Sequence, residues 1–258
     1  MAKSLLVLIE GTDELLPVAK GIGARRIDGS IYHWRAQASG VMPETFISCT
    51  GVGTQRSYEC TKKRLSETNA GLVVSAGTFG AIVSGIPQHH WMCNAITRML
   101  GDVGDGRSKR DEINANAASA GHIARLREGC AATGVDWVDG RLVCVGDVPL
   151  FTEKEKAEIA KAHEAIGVDM ETFGIAKASQ EAGVPWVTAR ICVDTPEIPL
   201  PDFGALNHTT GRPYYGRLFK WIAQHPVQAV PTLYGLWALV NVYGEKLAAM
   251  IRRGYLQP

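Results

Sequence analysis

The sequence predicts an α/β protein. Short runs rich in Val, Ile and Leu do not alternate with polar residues, which is typical of strands buried on both faces. Gly or Asp residues border these runs, and helical patterns lie between them. Regular alternation of strand and helix indicates the α/β class. The predicted strands cover residues 4–9, 45–49, 71–75, 141–145 and 184–193.

Three helices are predicted between these strands. One of them begins with Thr152 and has Glu155 three residues later, the pattern of a capping box. Another is followed by Gly183 and then Pro185, which end a helix because Gly adopts the left-handed turn and Pro cannot continue it. The predicted helices cover residues 54–68, 152–165 and 170–182.

Two segments depart from this alternation. Residues 101–121 are polar and rich in Gly, Asp, Asn and Ala, and 104–114 are expected to form a mobile loop. Towards the end, residues 232–250 are apolar but interrupted, which makes a poor transmembrane helix. An amphipathic terminal helix fits better, packed on the body, on a partner or on a membrane surface. The interrupting residues are Asn241, Gly244, Glu245 and Lys246.

Composition excludes several classes of protein. The chain has 258 residues, 46% hydrophobic and 21% charged, as expected for one soluble globular domain over 1–258, with two small domains as the alternative. Residues 202–258 would form a helical extension of that domain. A net charge of +1 argues against a nucleic-acid partner.

The six Cys are scattered without a CxxC pair, which indicates reduced thiols and a cytoplasmic location. The apolar run near the N-terminus is too short for a signal peptide.

Two acidic residues are candidate catalytic groups. Glu171 and Asp194 each follow a predicted strand, 23 residues apart (194 − 171), so both can face one pocket at the carboxyl ends of the sheet. Asp194 follows three apolar residues, and desolvation would raise its pKa and suit it as a general acid. Glu171 would stay an anion that binds sugar hydroxyls and stabilises positive charge at an anomeric carbon. Taken singly, each could instead be a turn former or a partner of a helix dipole.

Four motifs together resemble the nucleoside phosphorylase/nucleosidase superfamily, the group of purine nucleoside phosphorylase and methylthioadenosine nucleosidase. The resemblance implies a single three-layer α/β/α sandwich around a twisted mixed sheet, assembled as a homo-oligomer. It also implies a small nucleoside substrate, no metal and no organic cofactor, with phosphate as the co-substrate. The motifs are Thr50-Gly51-Val52-Gly53, Gly77-Thr78-Phe79-Gly80-Ala81, Val168-Asp169-Met170-Glu171 and Arg190 through Asp194.

The same resemblance implies roles for individual residues. Glu171 would hydrogen-bond the ribose hydroxyls, Met170 would pack on the sugar, and Asp194 would protonate or hydrogen-bond N7 of a purine. Gly77, Thr78 and Phe79 would line the binding sites of the base and of the anion. Phe151 would contact the substrate, and Gly11 would lie near phosphate.

The cation of the predicted anion site would have to come from a position other than those of the family's arginines. Leu15 and Ser75 stand where the phosphorylases have arginines. Arg56 is the candidate replacement, with Arg25 or Arg26 as others, and a merely solvated Arg56 is the alternative.

Other departures bear on the nucleophile. Val193 replaces a Ser that often precedes the final Asp, and Thr12 aligns with the Glu that activates water in the nucleosidases. Phosphorolysis of a purine nucleoside, with adenine as the expected base, is therefore the prediction. The alternatives are a hydrolytic nucleosidase of the methylthioadenosine/S-adenosylhomocysteine or futalosine type, and a non-catalytic nucleoside-binding protein.

A finer resemblance is to the hopanoid-associated phosphorylase branch. Residues 148–156, 193–196 and the Pro-punctuated C-terminal region are similar to it. This implies an adenosylated lipid such as adenosylhopane as the substrate. It would also give the C-terminal helix a peripheral contact with lipid or membrane, whereas a core or dimer-interface helix over 232–250 is the alternative.

Overall fold

Nine strands of the described residues form one mixed sheet at the centre of the protein, in the order β2-β3-β4-β1-β5-β10-β9, with β11 beside β5 and β6 beside β11. The computed structural model describes residues 3–39, 43–86, 91–93, 99–100, 112–113, 118–134, 137–138, 140–145, 153–196, 214–227, 229, 233–234 and 242–256. The strands are β1 (Ser4–Ile9), β2 (Arg25–Arg26), β3 (His33–Ala36), β4 (Thr45–Cys49), β5 (Ala70–Ala81), β6 (Trp91–Cys93), β7 (Met99–Leu100), β8 (Glu112–Ile113), β9 (Leu142–Cys144), β10 (Gly167–Asp169) and β11 (Trp186–Asp194). The helices are α1 (Thr12–Ile22), α2 (Thr54–Glu67), α3 (Ala118–Ala131), α4 (Glu153–His163), α5 (Thr172–Glu181), α6 (Tyr215–Gln224) and α7 (Gly244–Ile251), which continues as a π-helical turn over Arg252–Leu256.

Strand β1 explains why the sheet is covered on both faces. All six of its side chains are buried, and it runs parallel to β4 and β5. Leu5, Val7 and Ile9 point into a core that includes residues of α1, α3 and α7, while Leu6 and Leu8 point into a core with residues of α5. Successive residues of a strand face opposite sides, so an unbroken apolar run needs a helical layer on each side. The predicted three-layer α/β/α architecture with a mixed sheet is confirmed.

The sequence pattern predicts the bounds of several secondary-structure elements to within one residue. Strands β1 and β4 have the predicted bounds, and α2 ends one residue before the predicted end. Strand β5 is longer than expected, because it continues through Gly77 and Thr78 to Ala81. The Gly-Thr motif, expected as a loop after the strand, is therefore part of the strand itself. It pairs in parallel with β11, with Arg190 opposite Gly77. Of the predicted capping box, Thr152 lies outside the described residues.

The expectation of a loop over residues 104–114 is wrong at its end. Glu112 and Ile113 form β8, which pairs antiparallel with β7, and α3 begins at Ala118. A two-residue strand has no apolar period of its own, so composition alone does not indicate it. Residues 101–111 lie outside the described part.

The C-terminal helix α7 packs on the body of the protein, which is one of the three placements left open by the sequence. Its buried side chains join the core that contains β1, with close approaches to α1 and α3. A Cβ added at Gly21 of α1 would lie 2.5 Å from Cβ of Ala248, and one at Gly129 of α3 would lie 2.5 Å from the carbonyl oxygen of Met250. The apolar face of α7 is thus already occupied by protein. Among the described residues, no helix has the length and apolarity needed to cross a bilayer.

The close contact between α1 and α7 gives a first prediction. Gly21→Ala places a methyl group against Ala248 and is expected to lower the free energy of unfolding by about 1–3 kcal/mol, the usual cost of overpacking. Gly121→Ala is the matched control, since Gly121 is also helical and nothing lies within 4 Å of its added Cβ. This control should gain about 0.5–1 kcal/mol from helix propensity. Urea unfolding of both variants measures the difference, and equal stabilities would contradict the close approach.

The cysteines behave as expected where they are described. Cys49, Cys60, Cys130, Cys144 and Cys192 are all free thiols. All but Cys60 are buried, which is the usual place for a thiol that serves packing.

Candidate active site

A buried arginine organises the carboxyl ends of the central strands. Arg190 lies on β11 and its side chain is fully buried. Its Nη1 lies 3.0 Å from Oε2 of Glu10 and 3.5 Å from Oε2 of Glu171, and its Nη2 lies 3.0 Å from Oδ2 of Asp169. Nη1 also donates to the carbonyl oxygen of Thr78 at 2.9 Å. Three carboxylates from different parts of the chain therefore surround one cation.

Glu10 directly follows β1 and takes the donors that were expected to bind phosphate. Its Oε1 accepts hydrogen bonds from the backbone N–H of Thr78 (2.8 Å), from the Thr78 hydroxyl (3.1 Å) and from Arg190 (3.1 Å). A Cβ added at Gly77 would lie 1.8 Å from Oε2 of Glu10, so only glycine leaves room for this carboxylate. Gly11, the next residue, is buried just before α1. The donors predicted to bind an anion therefore bind the carboxylate of Glu10 in this structure, and the binding of phosphate by them stays a prediction.

Glu171 joins the Gly-rich turn before α2 to the start of α5. Its Oε1 accepts a hydrogen bond from the N–H of Gly53 at 3.2 Å, and its carbonyl oxygen accepts one from Ser57 Oγ at 2.9 Å. Burial and repulsion by Glu10 raise the pKa of Glu171 well above its usual range, and the attraction of Arg190 only partly opposes this. The direction is opposite to the expectation of a residue that simply stays an anion.

Asp169 holds the beginning of α5. Its Oδ2 accepts hydrogen bonds from the N–H of Thr172 (3.1 Å) and from the Thr172 hydroxyl, besides its ion pair with Arg190. Its Oδ1 is buried and has no hydrogen-bond partner among the described residues. Asp169 thereby fixes the helix that follows Glu171.

Glu14 is the acidic residue that sequence reasoning missed. It lies on α1 and lines a small cavity with Gly77 and Thr78. The residue as a whole is partly exposed, but its Oε2 is enclosed and has no hydrogen-bond partner within the described part of the chain. Burial and repulsion by Glu10 raise its pKa. The helical period carries the missing signal, because Glu14 precedes the buried Val18 by one turn and so faces inward.

Arg190 was also missed as a site residue, although it belongs to a quoted motif. It stands in the middle of an otherwise apolar strand. A charge in a strand covered on both faces needs partners, since burial of an unpaired ion is very costly. That argument predicts nearby carboxylates without naming them.

The predicted site residues have different positions. Glu171, Gly77, Thr78 and Gly11 come together around Arg190 and Glu10, as described above. Met170 is half-buried against the apolar cluster that contains Val143. Phe79 is 2% exposed and packs in the core, where its ring meets Gly167. The ring therefore packs in the core in this structure, and its expected contact with the base stays a prediction.

The proposed cations do not hold this anion site. Arg56 is exposed on the first turn of α2, whereas the cation that reaches Thr78 is Arg190. Arg25 and Arg26 lie on β2 at the edge of the sheet, with three strands between them and β5. Among the described contacts, none of these three arginines reaches the donors around Thr78. Proximity along the chain to a glycine turn, the reason for choosing Arg56, does not show which cation the strand order brings to the site.

Two predicted residues cannot be placed against this cluster. Asp194 is the last residue of β11, and its backbone pairs with Gly80, but its side chain is outside the described part. Phe151 lies outside the described residues. The meeting of Asp194 with Glu171 in one pocket stays a prediction. No group of three or more His, Cys, Asp and Glu side chains in the described ranges could hold a metal ion.

Comparison with known proteins places this geometry in context. The family model described as the phosphorylase superfamily matches residues 35–210, more than half of the chain. No curated protein matches the sequence.

Solved structures share the fold over nearly the whole chain. Futalosine hydrolase of Helicobacter pylori strain 26695 is 14% identical, covers 97% of this chain and 98% of its own, and has a TM-score of 0.69. The 5′-methylthioadenosine/S-adenosyl homocysteine nucleosidase of Helicobacter pylori is 13% identical, with 96% and 97% covered and a TM-score of 0.69. At such identities the likeness establishes the fold.

Proposed function

Because the chain belongs to the phosphorylase superfamily, we propose that it cleaves the N-glycosidic bond of a purine nucleoside with water as the nucleophile. One observation carries the choice of water. Glu14 lines a small cavity together with Gly77 and Thr78, and its enclosed Oε2 has no hydrogen-bond partner in the described residues. A carboxylate in that position is suited to accept a proton from a bound water, which makes the water a stronger nucleophile.

The charge of the site supports water over phosphate. Glu10 already uses the N–H and hydroxyl of Thr78 and shares Arg190. A phosphate anion would have to displace this carboxylate and then share a poorly solvated place with Glu14, which must be ionised to act as the base. Like charges repel strongly when water is excluded. The sequence alone favours phosphate because Thr12 offers no activator, and Glu14, two residues later, supplies one.

The other residues would have distinct tasks. Glu171 would hydrogen-bond the sugar hydroxyls, and its raised pKa lets it act as a donor as well as an acceptor. Asp194, at the end of β11, would supply the proton or hydrogen bond to N7 of the leaving base. Arg190 would be a positioning residue, since it fixes the directions of Glu10 and Glu171 by ion pairs. Holding the groups in place and arranging their charges supplies most of the rate enhancement in such a site.

Phosphate is the second candidate nucleophile, and one observation favours it. The N–H and hydroxyl of Thr78 and the guanidinium of Arg190 converge on a single carboxylate oxygen, Oε1 of Glu10. These donors would equally suit a phosphate oxygen if Glu10 turned away.

A panel of nucleosides tests which substrate the protein cleaves. Adenosine, 5′-methylthioadenosine, S-adenosylhomocysteine, futalosine and an adenosine carrying an apolar 5′ chain cover the resemblances. Release of free base from each is measured with and without phosphate. We expect release in phosphate-free buffer, with free sugar rather than sugar 1-phosphate as the second product. Strict phosphate dependence would replace hydrolysis by phosphorolysis, and binding without release would identify a non-catalytic nucleoside-binding protein. Faster release from the adenosine with the apolar 5′ chain would support an adenosylated lipid as the substrate. Faster release of adenine than of other purines would support adenine as the base.

Glu14→Gln is expected to lower the rate of base release by about 10²-fold or more, since it removes the proton acceptor. Glu158→Gln is the matched control, because Glu158 is an exposed residue of α4. It should keep the full rate. Unchanged turnover of Glu14→Gln would exclude Glu14 as the base.

The pH dependence tests the same residue independently. Glu14 must be ionised to accept a proton, and its pKa is raised by burial and by Glu10. The acid limb of kcat/KM is therefore expected clearly above pH 4.5, with the rate lost as the pH falls through the raised pKa. The residual activity of Glu14→Gln should lack this limb. An identical limb in both proteins would assign the titration to another group.

A further inference from the structure

Exposed large apolar side chains are concentrated in one stretch of the sequence. Seven large apolar residues are exposed in the described ranges, and six of them fall between residues 214 and 234. The extremes are Val227 at 87%, Phe219 at 66% and Tyr234 at 66% exposed. We define the α6 surface by these six residues and the two cations of α6. They are Tyr214, Tyr215, Phe219, Val227, Leu233, Tyr234, Arg217 and Lys220.

Helix α6 has apolar residues on its inner side and on part of its outer side. Leu218 is buried, and Trp221 and Ile222 are half-buried three and four residues later, so they form the side that packs on the protein. Tyr215 and Phe219 are four residues apart and share another side, where both are exposed. The inner side is enough to hold the helix on the body. The outer aromatic residues therefore need another explanation.

The charge of this region has one sign. Arg217 and Lys220 are exposed on the same turns as Phe219. The sequence from 203 to 244 contains no Asp or Glu, although the chain has 26 acidic residues. An aromatic helix side with two neighbouring cations, in a stretch of sequence that has no acidic residue, is complementary to an anionic interface.

We propose that the α6 surface binds the surface of an anionic lipid bilayer. Phe219 and Val227 enter the boundary between headgroups and acyl chains, and Arg217 and Lys220 contact lipid phosphates. The ten-residue helix lies in the plane of the interface, because it is too short to span the hydrocarbon. A second copy is a poorer partner, since two-fold packing would bring the cations of both copies together. The proposal does not depend on the reaction proposed above.

Sedimentation of the full chain with vesicles tests the proposal. Phosphatidylcholine vesicles that contain phosphatidylglycerol should bind the protein, and binding should weaken as salt is added. Vesicles of phosphatidylcholine alone should bind it much less. Phe219→Ser combined with Val227→Ser should lower the partition coefficient about tenfold or more, since both apolar anchors are lost. Arg217→Gln combined with Lys220→Gln should lower it about tenfold or more for the anionic vesicles.

Ile31→Ser is the matched control, because Ile31 is exposed and apolar but lies outside the α6 surface. It should bind as the unchanged protein does, and thermal unfolding confirms that each variant is folded. The proposal is overturned if the unchanged protein does not bind anionic vesicles, or if the α6 variants bind as well as it does. It is also overturned if the protein is an oligomer that Phe219→Ser dissociates, which would assign this surface to a second copy of the chain.

Discussion

Arg190→Met is expected to lower the free energy of unfolding by about 3–5 kcal/mol, the usual result of removing one partner from a buried ion pair. Arg190 is the only described cation that lies within 4 Å of Glu10, Asp169 or Glu171, and its side chain is fully buried. Met has a similar length and can fill the space. What it cannot do is compensate the carboxylates, which would remain together in a poorly solvated cluster.

Urea unfolding measures this loss, and Arg141→Met is the matched control. Arg141 also forms an ion pair, 2.9 Å from Glu164, but the side chains are 33% and 78% exposed. Its replacement should cost less than about 1 kcal/mol, as for other pairs at the surface. Similar losses of unfolding free energy in the two variants would show that burial does not increase the contribution of the Arg190 ion pairs to stability.

The pH dependence and a double variant identify the cause of the loss. In Arg190→Met the carboxyl group of Glu171 loses its cation, so its pKa in the folded state, already raised by burial and by Glu10, rises further above that of an exposed carboxyl group. Such groups stabilise the fold at low pH and lose that contribution as the pH rises through the raised pKa. The deficit should therefore be smallest in acid. Adding Glu10→Gln to Arg190→Met should recover part of it at neutral pH, and simple additivity would argue against repulsion as the cause.

The central part of the fold is predictable because its signals are local. The unbroken apolar runs of β1 and β4 need no information from elsewhere in the chain to indicate strands with two buried faces. The same holds for α5, which ends just before Gly183. Short strands such as β8 and the edge strand β2 carry no such signal, because two residues are held by their partners rather than by their own sequence.

The site was only partly predictable because its contacts cross the sheet. Glu10 and Arg190 are 180 residues apart (190 − 10), and they meet because β1 and β11 both lie beside β5. The motif around Gly77 indicates donors for an anion, but it does not say which anion binds. That the ligand is the carboxylate of Glu10 follows from strand order and register. Asp194 and Glu171 remain a predicted pair, since the side chain of Asp194 is outside the described part.

Gly77→Ala is expected to disrupt the site and to lower the free energy of unfolding by about 3–5 kcal/mol. Two costs add. The backbone of Gly77 has a φ of +148°, a conformation that residues with a Cβ rarely adopt, at about 1–3 kcal/mol. The new methyl would also lie 1.8 Å from Oε2 of Glu10, which must then leave Thr78 and Arg190. Overpacking of a filled site costs about 1–3 kcal/mol on its own.

Gly183→Ala separates the two costs, because Gly183 has a φ of +66° and nothing lies within 4 Å of its added Cβ. It should lose only the backbone contribution, and it should keep full activity since it lies beyond the end of α5. Gly77→Ala should lose stability and base release together, because Glu10 and the cavity beside Glu14 both border the new methyl. Urea unfolding measures the stability of both variants, and the base-release assay measures their activity. Equal stability losses with intact base release in Gly77→Ala would mean that Glu10 does not need the space that glycine leaves, and that its contact with Thr78 has no part in shaping the site.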